Sequence, residues 1–265
     1  SGFVELDGVR IKGPEEQLIP GHREIAYLSQ HFELRNIYTM GELLSMSSLV
    51  SKEEEQRICR LCRVENLIQR TNKALSGGEK QRMALALLLV RNPAVLLLDE
   101  PFSNLDLIHK NLVLDILAEL NQQFGTTLIM STHDPADVLS WANELVILDK
   151  GKILERGLPE QVYDNPGSSL SAGLMGSFSE LPAKLLVQMQ PASGPKLDQR
   201  FFRPGKFEVD EIMKNGSLQG NVLSQKYLGD FYETSVSVSG STIIARSMER
   251  FGPGSVVFIT LKCPG

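Results

Sequence analysis

The sequence predicts an α/β protein: a parallel-sheet core with interspersed helices, followed by a small all-β domain. Three observations carry that expectation. Short apolar runs at residues 24–29, 94–98, 126–131 and 144–148 alternate with stretches of helical spacing, the order that builds a parallel sheet covered on both faces. The run at 94–98 is apolar without interruption, as fully buried parallel strands are. After Tyr163 the texture changes, and residues 165–195 hold only two charges, Glu180 and Lys184, among many Ser, Gly and Pro.

Taken in order, residues 3–6 and 24–29 read as strands. Residues 39–49 and 52–63 have helical spacing, and Ser51 with Glu54 makes a capping box for the second of these helices. The cluster KEEEQR is that helix's solvated face. Residues 78–90 form a helix with an apolar body, and 107–124 an amphipathic one. From Phe201 onward short strand patterns are separated by turns at Gly216-Ser217, Leu228-Gly229-Asp230, Ser239-Gly240 and Gly252-Pro253-Gly254, the signature of a small β-barrel or sandwich.

Composition bounds the function. The chain has 265 residues, 42% hydrophobic and 22% charged, enough for one large domain or two smaller ones with real cores. A net charge of −5 excludes a broad electrostatic grip on nucleic acid. The longest uninterrupted apolar run, residues 83–90, is far short of the ~20 residues that span a bilayer. No signal peptide is visible. The three cysteines, Cys59, Cys62 and Cys263, indicate a reducing compartment rather than a disulfide framework. Cys59 and Cys62 sit in a helical run and are expected as part-buried apolar residues, since no second pair completes a zinc site.

Five short segments carry chemistry. In LSGGEKQR (75–82), Ser76 and Glu79 form a capping box, and Gly77 and Gly78 leave the first helical amides bare, which makes an anion site or an ordinary capped helix. In AVLLLDEP (94–101) a buried strand delivers Asp99 and Glu100 at its carboxyl end, where open α/β sheets place their ligands. Asp99 there suits Mg²⁺, and Glu100 suits polarising or deprotonating a water. SNLD (103–106) ends in Asp106, which caps the helix from residue 107. STHD (131–134) places His133 at another strand end, where it can donate to a phosphate oxygen. Gln30, in IAYLSQ, ends a further strand and can ligate Mg²⁺ or orient a water.

The set and its order resemble the ATP-binding subunit of ABC transporters. LSGGEKQR resembles that family's signature motif and VLLLDEP its Walker B strand with catalytic glutamate. SNLD resembles the D-loop, Gln30 the Q-loop and His133 the switch histidine. The resemblance covers about residues 1–176. RFFRPGKFEVDE (200–211) and GNVLSQKYLGD (220–230) resemble a TOBE domain over 177–265, as found on ATPases of binding-protein-dependent importers. LPEQVYDNP (158–166) and GLMGS (173–177) resemble the family's exit from the ATPase domain.

The resemblance implies an ABC ATPase core at 1–176, with its helical subdomain at about 39–90, and an OB-like tail at 177–265. It implies ATP and Mg²⁺ as cofactors and in-line attack of water on the γ-phosphate. Glu100 is then the base, Asp99 and Gln30 hold Mg²⁺, and His133 contacts the γ-phosphate. Ser76, Gly77 and Gly78 stabilise the γ-phosphate of the ATP held by a second ATPase subunit, and Gln30, Glu79 and Asp106 are nucleotide-binding as well. The partners are that subunit and membrane permeases, with no nucleic acid, on the cytoplasmic side of a bacterial inner membrane. Ferric iron or polyamine is the expected solute, ahead of sugar or oxyanion. A non-hydrolysing regulatory subunit and an ATPase working on DNA or ribosomes are the rivals.

No G-x-x-x-x-G-K-[ST] occurs in the sequence, and the family's P-loop precedes the stretch that SGFVELDG resembles. The chain as given is therefore expected to be inactive. A preceding segment outside this sequence is the favoured explanation over a degenerate subunit, because the other motif residues stand in place and the first residue is Ser1.

Overall fold

The computed structural model describes residues 3–18, 21–30, 32, 34, 37–103, 105–189 and 199–262. Ser1, Asn104 of SNLD, Cys263 and the 190–195 end of the charge-poor stretch lie outside the described residues. The chain divides into two compact units, residues 1–133 and 134–265.

The first unit opens with a two-stranded antiparallel hairpin, β1 (Val4–Leu6) and β2 (Val9–Ile11). Its centre is a three-stranded parallel sheet in the order β3 (Ile25–Leu28), β4 (Val95–Asp99), β5 (Thr127–Ser131). Register pairs Leu28 with Leu98 and Asp99 with Ser131, so the three strands end together. Between β3 and β4 come α1 (Met40–Ser47), α2 (Lys52–Leu61) and α3 (Gly77–Leu89), and α4 (Leu107–Gln123) links β4 to β5.

Each helix starts where a side chain takes an orphan amide. Thr39 and Ser76 form complete capping boxes with Glu42 and Glu79, and Asp106 accepts from the His109 amide. The box expected for α2 forms only in its forward half. Ser51 accepts from the Glu54 amide, but its own hydroxyl bonds the Glu53 carboxylate, which lies one residue nearer, and Glu54 pairs with Arg57. Met40, Leu44, Ile58, Leu67, Met83 and Leu85 are fully buried among these helices. Cys59 and Cys62 are buried too, and burial pushes both thiols up, so they act as core residues. Among the described residues no His, Cys, Asp and Glu cluster is built to hold a metal ion.

Alternation along the strands shows where the expectation of a doubly covered sheet fails. Ala26, Leu28, Leu96 and Leu98 point to a buried face, while Tyr27 and Ile129 on the opposite face are more than half exposed. Among the described residues of this unit, one face is buried and the other is only partly covered, with Val95 and Leu97 intermediate. Residues 144–148 do form a strand, β6 (Leu145–Asp149), but it pairs antiparallel with β7 (Lys152–Gly157) in the second unit rather than joining the parallel sheet. The Lys150-Gly151 turn between them has positive φ at both residues, the hairpin geometry that pairs adjacent strands at short range.

The second unit continues through α5 (Pro159–Asp164), α6 (Ser169–Leu174), β8 (Ser179–Glu180), α7 (Ala183–Met189) and β9 (Phe201–Phe202), where β8 and β9 pair. It ends in a five-stranded antiparallel sheet. The strand order is β10 (Phe207–Asp210), β14 (Val256–Leu261), β11 (Leu218–Tyr227), β12 (Tyr232–Val238), β13 (Ser241–Ser247). The turn pattern predicts a small β-barrel or sandwich, and this half-barrel is consistent with the OB-like tail that the resemblance implies. Phe207, Val236, Val238, Ile243, Val257 and Ile259 are fully buried inside it, with Leu181, Leu185 and Met189 capping the same core. Buried Arg203 donates to the carbonyls of Tyr163, Ala172 and Gly176 at 2.8, 2.8 and 3.2 Å, and its guanidinium lies 4.4 Å over the Tyr163 ring. No described helix is long and apolar enough to cross a membrane.

Candidate functional site

The predicted acidic pair stands at the carboxyl end of the central strand. Asp99 is the last residue of β4, and Glu100 follows at φ +44, a conformation a non-glycine residue rarely takes. The turn is held from three sides. The Glu100 amide donates to both the carbonyl and the hydroxyl oxygen of Ser131 at 3.2 Å. The buried Gln81 side chain donates to the Pro101 carbonyl at 2.7 Å. Ser103 donates to Glu100 Oε2 at 2.9 Å.

The two carboxylates are separately furnished. Asp99 accepts from the Ser131 hydroxyl at 2.7 Å on one oxygen and from the Tyr27 hydroxyl at 3.0 Å on the other. Those two bonds, Ser131 first, hold its pKa below the ordinary carboxylate value. His133 Nδ1 lies 3.1 Å from Glu100 Oε1. The Ser103 bond and then the His133 bond lower the Glu100 pKa as well. Both groups are thus ionised at neutral pH. Glu100 in this state is a weak proton acceptor, because two donors already stabilise its charge.

The glycine turn forms as expected. Ser76 caps α3, accepting from the Glu79 amide at 3.3 Å, while Glu79 Oε2 accepts from the Ser76 amide at 2.8 Å. Glu79 Oε1 takes a bond from Arg70 at 3.2 Å. Both carboxylate oxygens are therefore committed to shaping the loop. The amides of Gly77 and Gly78 precede the first intrahelical bonds; Ser76 and Gly77 are exposed at this turn, whereas Gly78 is buried against His109. A side chain on Gly77 would meet nothing within 4 Å, so this approach is open. Asp106 caps α4, and Gln30 is exposed two residues beyond the end of β3.

The structure brings Asp99, Glu100 and His133 into one hydrogen-bonded group and sets Gln30 at the end of the adjoining strand. Tyr27, Ser103, Ser131 and Gln81 were not singled out from the sequence. Ser103, Ser131 and Gln81 lie inside the motifs SNLD, STHD and LSGGEKQR and so had a local signal, whereas Tyr27 shares the face of Asp99 only through the register of β3 on β4.

Residues 1–103 match the family described as ABC transporter. The sulfate/thiosulfate import ATP-binding protein CysA of Synechocystis sp. is 30% identical over 241 residues, 86% of this chain and 68% of that protein. The glucose import ATP-binding protein GlcV of Saccharolobus solfataricus is 37% identical over 190 residues, 69% of this chain and 52% of GlcV. The Fe(3+) ions import ATP-binding protein FbpC of Rhizobium etli is 29% identical over 273 aligned positions, 93% of this chain and 77% of FbpC. Against the first relatives, at 52% and 45% of their length, the chain spans about half.

Proposed function

The chain belongs to the ATP-binding proteins of ABC transporters, and from that premise we propose that it is an ATP-hydrolysing subunit that powers solute import. The observation that carries the reading is the strand-end group itself: Asp99 and Glu100 side by side at the end of β4, with His133 on Glu100 at 3.1 Å. An ionised, partly exposed carboxylate at the end of β4 and an exposed amide just past the end of the adjoining β3 are hard oxygen donors, and Mg²⁺ is commonly held by one or two carboxylates with substrate phosphates completing the shell. Asp99 and Gln30 fit that pattern and would hold the ion, which supplies charge neutralisation at the phosphates.

The chain's own residues then divide the work. Ser131 and Tyr27 fix the Asp99 carboxylate through both oxygens. Glu100 orients and polarises the attacking water. Its basicity is low while Ser103 and His133 both bond it, and it rises when His133 turns from Glu100 to an arriving γ-phosphate. Substrate arrival and base activation are coupled by that exchange. Ser76, Gly77 and Gly78 present donors to the ATP of a second subunit, with Glu79 holding the loop and Asp106 closing the D-loop.

We place the functional boundary at 176/177, with 1–176 as the ATPase domain, its helical subdomain at about 39–90, and 177–265 as a TOBE domain. The OB-like sheet and the resemblance of RFFRPGKFEVDE and GNVLSQKYLGD support that tail. Permeases are the membrane partners, and the subunit works peripherally on the cytoplasmic face. Ferric iron or polyamine is proposed as the solute ahead of sugar or oxyanion; the relatives include ATP-binding proteins for Fe(3+) ions, glucose and sulfate/thiosulfate, which support import and do not order the solutes. Residues 1–265 alone are expected to hydrolyse no ATP, since the sequence holds no P-loop.

The test uses the full-length protein. Glu100→Gln should abolish turnover and accumulate an ATP-bound dimer on gel filtration, whereas hydrolysis near the parental rate would overturn the role given to Glu100.

A further inference from the structure

His109 lies outside every motif, yet it touches two of them. Its ring packs on the glycine turn that opens α3. A Cβ on Gly78 would overlap that ring, falling 2.6 Å from His109 Cγ and 2.9 Å from His109 Cβ, so residue 78 must be glycine while His109 is there. The two glycines of the turn therefore have different reasons to exist. Gly77 leaves open space, and Gly78 makes room for an imidazole.

The other edge of the ring is pinned. His109 Nδ1 lies 2.8 Å from both carboxylate oxygens of Asp106, and the His109 amide donates to Asp106 Oδ1 at 2.9 Å. With a carboxylate as partner, Nδ1 carries the proton. An apolar side chain would fill the space against Gly78 equally well, but it would not be tied to Asp106. Asp106 is the accessible end of the chain of contacts, its side chain 64% exposed against 34% for His109.

We propose that His109 is a positioning residue that transmits the placement of Asp106 to the Gly78 amide. The proposal rests on reading Ser76–Gly78 as phosphate-binding donors. Movement of Asp106 by a ligand or second subunit swings the imidazole, and the ring shifts the backbone it bears against. The donors offered by α3 are then aimed only when the α4 cap is in place.

The experiment follows the Gly78 amide resonance in the ¹⁵N-labelled full chain. Asp106→Asn keeps a good helix cap but weakens the bond to the ring. It should shift the Gly78 resonance in the parental protein and leave it unmoved in a His109→Leu background. His109→Gln, which keeps a donor, should restore the response. A Gly78 resonance that ignores Asp106→Asn, or responds equally without His109, overturns the proposal. Unchanged dispersion elsewhere shows that each variant is folded. In the full-length protein His109→Leu should raise the KM for ATP several-fold and His109→Gln should recover it. If the resonance couples as expected but KM is unmoved by either variant, the phosphate-binding reading of residues 76–78 fails while the positioning contact stands.

Discussion

Two hydrogen-bond networks in this protein use similar side chains to opposite ends. At the ends of β4 and β5, Asp99, Glu100, Ser103, Ser131 and His133 bond one another where water reaches them, and His133 is 79% exposed. In the half-barrel, the Gln225 Nε2 shares its two protons among Thr234 Oγ1, Ser247 Oγ and the Glu249 carbonyl at 2.9, 3.1 and 3.0 Å, and Gln225 Oε1 accepts from the Phe251 amide at 2.9 Å. Thr234 there is fully buried. The second network is satisfied from within and fixes one arrangement of a core. The first leaves lone pairs and protons directed outward and holds a residue in a left-handed backbone conformation, so it is arranged to meet something else. Charge in the strand-end network lowers carboxylate pKa values by hydrogen bonding. Its stabilising share is complete at neutral pH and is lost as pH falls through those lowered values.

The sharpest way to break this contrast is to change one group in each network and read activity and stability together. Glu100→Gln in the full-length protein should cost about 10²–10⁴-fold in turnover. Its melting temperature should stay close to the parental value, because the group is on the surface of its network. A large fall in melting temperature would make the strand-end network structural after all.

The half-barrel should behave in reverse. Phe207→Ala empties a fully buried site and should destabilise by about 3–5 kcal/mol, read by denaturant unfolding. Gln225→Leu strands the Phe251 amide without its partner, while Thr234 and Ser247 keep each other at 3.2 Å, and should cost about 1–3 kcal/mol. Neither should change the ATP affinity of molecules that remain folded. A loss of ATP binding in proportion to neither stability nor yield would tie the tail to the nucleotide site.

The two regions also differ in how far the sequence reveals them. Strand ends were readable because an apolar run ending in Asp99-Glu100 marks both the strand and the site, and the Ser76 cap was readable from its partner three residues on. The partners of those groups were not. Tyr27 reaches Asp99 across 72 residues of chain and His133 reaches Glu100 across 33, and such contacts depend on parallel register that no local pattern encodes. Hairpin β6–β7 was missed as a pair because GKILERG alternates weakly, and the helices at 159–164, 169–174 and 183–189 were missed because each is two turns or less. His109 gave no signal at all, since a histidine in an amphipathic helix looks like any part-exposed residue until Gly78 is seen against its ring.

The smallest effect refines the contrast inside the first unit. Ser76 belongs to both descriptions: it caps α3 as a structural acceptor and keeps a hydroxyl proton to offer outward. Ser76→Ala removes both and should cost about 1 kcal/mol of stability through the lost cap. Ser76→Asp keeps the cap and places a negative charge where an anion is to sit. A purely structural Ser76 predicts that Asp restores the stability and everything else with it. A phosphate-facing Ser76 predicts that Asp restores the melting temperature and weakens ATP-dependent dimerisation beyond the Ala variant, because a carboxylate at a helix start competes for the same amides.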